Sequence, residues 1–384
     1  MSRRPTILQV LSVLAHGGSE RVALAGARAW VEAGGRSIMV GASGSLEPEI
    51  TAAGVEIRHL PLEGNAPWKV LANTGRLEWL MQAESVAAVH WHNRAPGWSA
   101  YRAARRLRIP SFSTYHSLYG ENVPGKRWWN SAMVRGDVAI VTSRHAAAEV
   151  ERRHAGVGGR RLLIPNGVDT TAFAPERVSE PERAALRAIM GAGEDAFLVS
   201  LPARFTRLKG HLVAIEALRQ LAARGDALTR LAFVGADGSA YVDEVREAAR
   251  RAGLAERVAI LLARDDMPAV LAASDLVLSP STERESFALV RVEAGAMERV
   301  LIATRIGAAE EIVVTDPGAE TGALVPTGDA SALAAGIAWG RDLGPVGRAA
   351  VGRRARAHVV GHFDVSSALQ MLVDAYAKAT GGLT

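Results

Sequence analysis

Ser279-Pro280-Ser281-Thr282-Glu283-Arg284-Glu285-Ser286-Phe287-Ala288-Leu289-Val290-Arg291-Val292-Glu293 is the stretch whose reading settles the fold. Just before it, Leu276 to Leu278 is an apolar run that reads as a buried strand, and Pro280 stops it. From Phe287 the apolar residues recur at helical spacing through Leu289, Val290 and Met297, so the segment is strand, loop and helix. Glu285 stands before that helix and Glu293 inside it, about 12 Å apart if every intervening step is helical. That span suits the two ends of a sugar diphosphate. The amides of Ser286, Phe287, Ala288 and Leu289 would face a ligand from the start of the helix, where phosphate is favoured. One carboxylate could then hold sugar hydroxyls and the other a ribose. Taken alone, the pair reads more simply as a first-turn cap and a solvated helix residue.

Working outward, strand and helix patterns alternate along most of the 384 residues, which predicts parallel sheets with helices on both faces. A hydrophobic content of 48% over this length allows two domains, each with its own core. There is no cysteine, which excludes disulfides and thiolate metal sites and suits a cytoplasmic address. The N-terminal run Ile7 to Val13 is read as a first strand rather than a secretory leader, because it ends in His16-Gly17-Gly18 without a small-residue cleavage site. No apolar stretch approaches the roughly 20 residues that span a bilayer. Charge is uneven: residues 1–170 hold 21 Lys and Arg against 13 Asp and Glu, a net +8, and the remainder 24 against 27, a net −3. The basic half points to an anionic partner. No nucleic-acid motif accompanies it, so an anionic membrane surface or phosphorylated glycolipid is preferred to nucleic acid.

Gly17-Gly18 follows the first strand and opens a helix, where glycine lets the backbone approach a ligand or simply makes a tight turn. It is not the dinucleotide fingerprint, since no third glycine follows at the required offset and no acidic residue ends the second strand, Ser37 to Val40. On the strand Val86 to Trp91, His90 and the next alternate residue, His92, share a face. No third metal ligand lies nearby, so His92 is assigned to the acceptor side. His116 ends the strand Ser111 to Tyr115, at the edge where open α/β sheets bind ligands. The segment after it, through Lys126-Arg127-Trp128-Trp129, is basic and aromatic; it would lie at a membrane interface or pack its tryptophans on the sheet. In the second half, Arg204 at a strand end and Lys209 at a helix start can reach one anion, or be ordinary surface cations.

Together these residues resemble the retaining family 4 glycosyltransferases. The Glu285 to Glu293 segment is similar to that family's paired-glutamate signature, keeping Phe287 and Leu289 but carrying Ser286 and Ala288 where glycine is usual. Gly17-Gly18-Ser19-Glu20-Arg21-Val22-Ala23-Leu24 looks like its opening turn, beside the donor phosphates. Arg204 and Lys209 match its Gly-Arg-Leu-x-x-x-Lys-Gly, with Ala203 replacing the first glycine, and Ile164-Pro165-Asn166-Gly167-Val168-Asp169 matches its hinge. Thr114-Tyr115-His116, followed by the basic aromatic segment and Arg135-Gly136-Asp137, resembles the acceptor lobe of enzymes that extend lipopolysaccharide core or related glycolipids.

The resemblance implies an α/β GT-B fold, two Rossmann-like domains facing a central cleft. Their expected bounds are 1–167 for the acceptor, 168–362 for the nucleotide sugar, and 363–384 for a helix crossing back to the first domain. It implies a hexosyltransferase moving a sugar, with retention, from a UDP- or GDP-linked donor to a lipid-linked or polysaccharide acceptor at the inner face of the cytoplasmic membrane. His116, Arg204, Lys209 and Glu285 would be the catalytic set; Gly17, Gly18, Ser286, Phe287, Ala288, Leu289 and Glu293 would complete the donor site. No cofactor is implied beyond the nucleotide sugar, and no metal, in keeping with the lack of any Asp-x-Asp. The alternatives are a transferase with a small soluble acceptor, a non-catalytic sugar-nucleotide-binding protein and, in a different class, a nicotinamide-dependent oxidoreductase, which the missing fingerprint disfavours.

Overall fold

The computed structural model describes residues 4–15, 17–283 and 285–382; His16 and Arg284, quoted above, lie outside them. The chain forms two compact units, one from the residues up to Pro165 with those from Ser366 onward, the other from Asn166–Val365. The first holds a seven-stranded sheet of β1 (Thr6–Val13), β2 (Arg36–Ala42), β3 (Glu56–His59), β4 (Val86–Trp91), β5 (Ser111–Tyr115), β6 (Val138–Val141) and β7 (Arg160–Leu163). Its order is β3-β2-β1-β4-β5-β6-β7, every pairing parallel. The second holds β8 (Phe197–Pro202), β9 (Thr229–Ala236), β10 (Val258–Leu262), β11 (Leu276–Ser279), β12 (Val300–Thr304) and β13 (Gly322–Val325), ordered β10-β9-β8-β11-β12-β13 and again all parallel.

The central strands are apolar on both faces because helices cover both. On β1, Leu8 and Val10 pack with Leu77, Leu80 and Met81, while Ile7 points the other way to Trp30, Leu372 and Tyr376. On β8, Val199 and Leu201 meet Ile215 and Leu218, and Leu198 meets Leu186 and Met190 on the opposite face. In both sheets the strand order reverses once, between β1 and β4 and between β8 and β11. Connections leave in opposite directions at such a point, so the C-terminal ends of those strands are left open to a ligand. Among the described residues no helix is long and apolar enough to cross a membrane.

The division falls after Pro165 and before Ser366, close to the bounds at 167 and 363 that the resemblance implied. The reason is a parallel bridge between Val168 and Asp364: Val168 donates its N–H to the Phe363 carbonyl and accepts one from Val365. A Cβ on Gly167 would fall 2.6 Å from the Phe363 carbonyl oxygen, so the two passages of chain are held together inside the second unit. The helix Val365–Thr380 then packs Leu372, Val373 and Tyr376 into the first unit's core. There Trp30 is fully buried, donates Nε1–H to the Pro5 carbonyl at 3.1 Å and meets the Tyr376 ring edge-on at 5.6 Å. Trp30→Ala should therefore lower the unfolding free energy by about 3–5 kcal/mol, read as a drop in the urea midpoint.

Candidate active site

In the second unit, β8 ends at Pro202 and delivers Ala203-Arg204, after which a single turn, Arg207–Lys209, leads into the helix His211–Ala223. Gly210 between them has φ +78°, and a Cβ there would lie 2.1 Å from the Pro280 carbonyl oxygen. Only glycine allows the Lys209 turn to sit that close to the end of β11. Beyond β11 the chain runs through Ser281 to Glu285. Lys209 ion-pairs with Glu285 Oε1, and Ser281 donates its hydroxyl to Glu285 Oε2. A second cation lies behind: Arg291 Nη2 is 4.0 Å from Glu285 Oε2. Its guanidinium is fully buried, donating from Nε to Ser279 Oγ at 3.1 Å and from Nη1 to the Ile306 carbonyl at 2.9 Å. Burial alone would raise the Glu285 carboxyl, but Lys209 and then Arg291 outweigh it and hold the group below its ordinary value.

The helix after Glu285 starts at Leu289, two residues later than its apolar spacing implied, and spans Leu289–Ala296. Phe287 is drawn into the core against Phe363 at 5.8 Å, and Ala288 turns the chain with φ +63°. Ser286 and Phe287 are therefore loop residues, and the side chain of Phe287 packs in the core. The Ser286 carbonyl instead accepts from Ala308 N–H at 3.1 Å, and Gly307 lies beneath Glu285, where a Cβ would come within 1.8 Å of its carbonyl oxygen. Five of the expected donor residues meet: Arg204, Lys209, Ala288, Leu289 and Glu293 line one cavity of about 290 Å³. Glu285 joins them through Lys209. Ser281 and Arg291 were not anticipated; the one signal for Arg291 was a lone charge in the apolar run Phe287 to Val292.

In the first unit, His116 follows β5 and His92 follows β4, and both line a polar cavity of about 420 Å³ with Ser12, Asn93, Arg94 and Tyr119. Asn93 Oδ1 accepts from Ser12 N–H at 2.8 Å, and the Arg94 guanidinium lies over the Tyr119 ring at 4.7 Å. Gly17 caps the helix Gly18–Glu32 in extended conformation, φ −162°. A Cβ on Gly18 would meet nothing within 4 Å, so the chain itself makes no demand for glycine beside Ser19, another cavity residue. His90 and His92 do share a face, their rings 4.1 Å apart. Both nitrogens of each ring, however, meet protein partners, and among the described residues no group of three His, Cys, Asp or Glu is placed to hold a metal. Trp129 is half-buried and its carbonyl accepts from Trp98 Nε1, whereas Trp128 is 56% exposed and stacks on Trp98 at 4.3 Å.

Residues 16–172 match the family described as Glycosyltransferase Family 4, and residues 196–339 match Glycosyl transferases group 1. The chain belongs to the family 4 glycosyltransferases. Its fold is GT-B, and it is a hexosyltransferase that uses a nucleotide sugar. It is 28% identical over 322 residues to a D-inositol 3-phosphate glycosyltransferase of Xylanimonas cellulosilytica, covering 76% of this chain and 72% of that one. Among solved structures it resembles a glycosyltransferase from Rickettsia africae, with a TM-score of 0.87 at 24% identity over 98% of both chains. It also resembles Anabaena Alr3699/HepE, crystallised with UDP and glucose, with a TM-score of 0.82 at 22% identity over 96% of this chain and 98% of that one.

The transferase's backbone around Glu285 is testable by stability. Ala288→Gly removes the left-handed penalty at the cost of a looser unfolded chain, for a net gain of about 0.5–1 kcal/mol. Gly307→Ala, at φ +64° and against the Glu285 carbonyl, should cost about 2 kcal/mol or more. Urea unfolding measures both. Because the folded Glu285 carboxyl lies below its unfolded value of about 4.3, its contribution is present above that pH and lost as pH falls through the folded value. Glu285→Gln should flatten that part of the stability-against-pH curve.

Proposed function

We propose that the transferase moves a hexose, with retention, from a UDP- or GDP-linked donor to a hydroxyl of a lipid-linked or polysaccharide acceptor of the lipopolysaccharide or exopolysaccharide type. In this reading the second unit holds the donor. Arg204 and Lys209, with the first amides of the helix Leu289–Ala296, take up the negative charge that grows on the departing diphosphate, so neither a metal nor a cofactor is required. Glu285 positions the sugar hydroxyls and Glu293 the ribose. The bond from the anomeric carbon to the diphosphate breaks, the acceptor oxygen bonds to that carbon on the same face, and its proton passes to a phosphate oxygen of the leaving group. His116, in the polar cavity of the first unit, serves the reacting centre from the acceptor side.

The observation that carries the reading is the meeting of Arg204, Lys209, Ala288, Leu289 and Glu293 around one cavity at the strand-order reversal, with Glu285 ion-paired to Lys209. Peripheral contact with the anionic inner face of the cytoplasmic membrane is supported by exposed aromatic residues on the basic half. Trp68 is 73% and Trp79 67% exposed on the helix Pro67–Ala83, and Val70 of that helix packs with the Trp98 on which Trp128 stacks. A small phosphorylated acceptor is the second reading, favoured by the similarity to the D-inositol 3-phosphate glycosyltransferase of Xylanimonas cellulosilytica.

Nucleotide release from a panel of UDP- and GDP-sugars is the test. One donor should turn over in the presence of a chelator, and Glu285→Ala or Lys209→Ala should cut the rate about 100-fold or more. Turnover unaffected by Lys209→Ala would refute the assignment. Sedimentation with phosphatidylglycerol vesicles, reduced by Trp68→Ser with Trp128→Ser, separates the two acceptors: a soluble-acceptor enzyme stays in the supernatant.

A further inference from the structure

Arg291 is a fully buried cation, and one of its nitrogens has no hydrogen-bond partner. Nε is committed to Ser279 Oγ and Nη1 to the Ile306 carbonyl, and together these fix the plane of the guanidinium. Nη2 is the nitrogen turned toward Glu285, 4.0 Å from Oε2, which is too long for a hydrogen bond. Both of its hydrogens are therefore unused, and a buried donor on a charged group is costly to leave so. The carboxylate does not close the gap because it is held elsewhere, Oε1 by Lys209 and Oε2 by the Ser281 hydroxyl.

The two cations beside Glu285 differ in what they can reach. Lys209 lines the cavity, whose other charged residues are Arg204, Arg264 and Glu293. Arg291 belongs to the same helix as Leu289, Val290 and Glu293, which line that cavity too, but its side chain runs the other way, to the end of β11 and to Ile306. An anion in the cavity can thus bond Lys209 and not Arg291, so the anion and Glu285 compete for one ammonium group. With nothing to replace Lys209, the carboxylate, only 12% exposed, would be left unmatched and would take up a proton. Among the described residues Lys209 and Arg291 are the cations that act on Glu285, and Arg264 is paired with Asp266.

We propose that Arg291 is a positioning residue that takes over Glu285 when the donor binds: as the diphosphate draws the Lys209 ammonium into the cavity, the carboxylate turns to Nη2 and the 4.0 Å separation closes to a hydrogen bond. Lys209 is then free to serve the leaving group, and Glu285 keeps its charge and its place beside the sugar. Arg291 touches neither donor nor acceptor and acts through Glu285. The inference rests on the reading above in which Lys209 receives the diphosphate.

Calorimetric titration of the full-length chain with UDP and with GDP, between pH 8 and pH 6 and in buffers of different ionisation enthalpy, tests it. These probes carry the diphosphate without the sugar, so Glu285 is not needed to bind them. The wild type and Glu285→Gln should exchange the same number of protons on binding, those of the nucleotide itself. Arg291→Met should bind about tenfold more weakly. It should also take up extra protons, growing toward about one per nucleotide as pH falls, because its Glu285 carboxyl titrates higher in the bound state than in the free one. Adding Glu285→Gln to Arg291→Met should abolish that uptake and recover most of the lost affinity, which it would not do for a folding defect. A crystal structure of the wild type with the nucleotide depends on no variant and should show Nη2 about 3 Å from Glu285. No extra proton in Arg291→Met, an affinity that Glu285→Gln does not recover, or an unclosed gap with Lys209 on the diphosphate overturns the hand-over. Nucleotide affinity unchanged by Lys209→Ala overturns instead the reading on which it rests.

Discussion

A carboxylate taken out of water has to be matched by positive charge or take up a proton, and the second unit's cavity is arranged around that requirement at Glu285. Lys209 reaches it from the turn after β8, Arg291 from the helix after β11, and Ser281 from the loop between, so the ion cluster ties three pieces of chain to one point. The close approaches that allow this are backbone-level. Gly210 lies against the Pro280 carbonyl and Gly307 against that of Glu285, and neither place has room for a Cβ. Because Arg291 is fully buried and anchored to Ser279 and Ile306, one of the two cations is part of the core, and the other, Lys209, faces the cavity.

Both units place their chemistry at the same topological position. In the second, the strands that flank the reversal, β8 and β11, end in Arg204 and in the loop that carries Glu285. In the first, β1 and β4 flank it, and Ser12 meets Asn93 there beside His92. The two ends differ in character. The second unit's end is ionic, whereas the first unit's end rests on hydrogen-bonded histidines that burial holds below their ordinary values. Tyr376 brings the last helix of the chain into that set, so a segment that follows the whole second unit in sequence contributes to the first unit's site.

Much of this was legible from residue pattern. The apolar runs of β1, β4, β8 and β11 mark strands because their burial on both faces leaves no polar alternation to confuse the reading. The edges were less visible. β3 is Glu-Ile-Arg-His and β7 is Arg-Arg-Leu-Leu, both only partly buried, and neither carries an apolar run to announce it. Glu285, Glu293, Arg204 and Lys209 stood out by spacing and by resemblance. Arg291 and Tyr376 did not, since a helix position gives no sign of which long-range partner its polar atom will meet. The misplaced helix start has a similar cause: Phe287 fits the helical apolar spacing, but it is buried from a loop, and the left-handed turn at Ala288 is invisible in an alanine.

In the proposed reaction Arg204, Lys209 and the helix beginning at Leu289 receive the diphosphate of an activated sugar. A crystal structure of the protein soaked with its donor nucleotide sugar tests this most directly. Diphosphate density is expected within hydrogen-bonding distance of both cationic side chains and of the Leu289 amide, with the hexose turned toward Glu285. Density for the diphosphate bound away from Lys209, with its ion pair to Glu285 undisturbed, would contradict it.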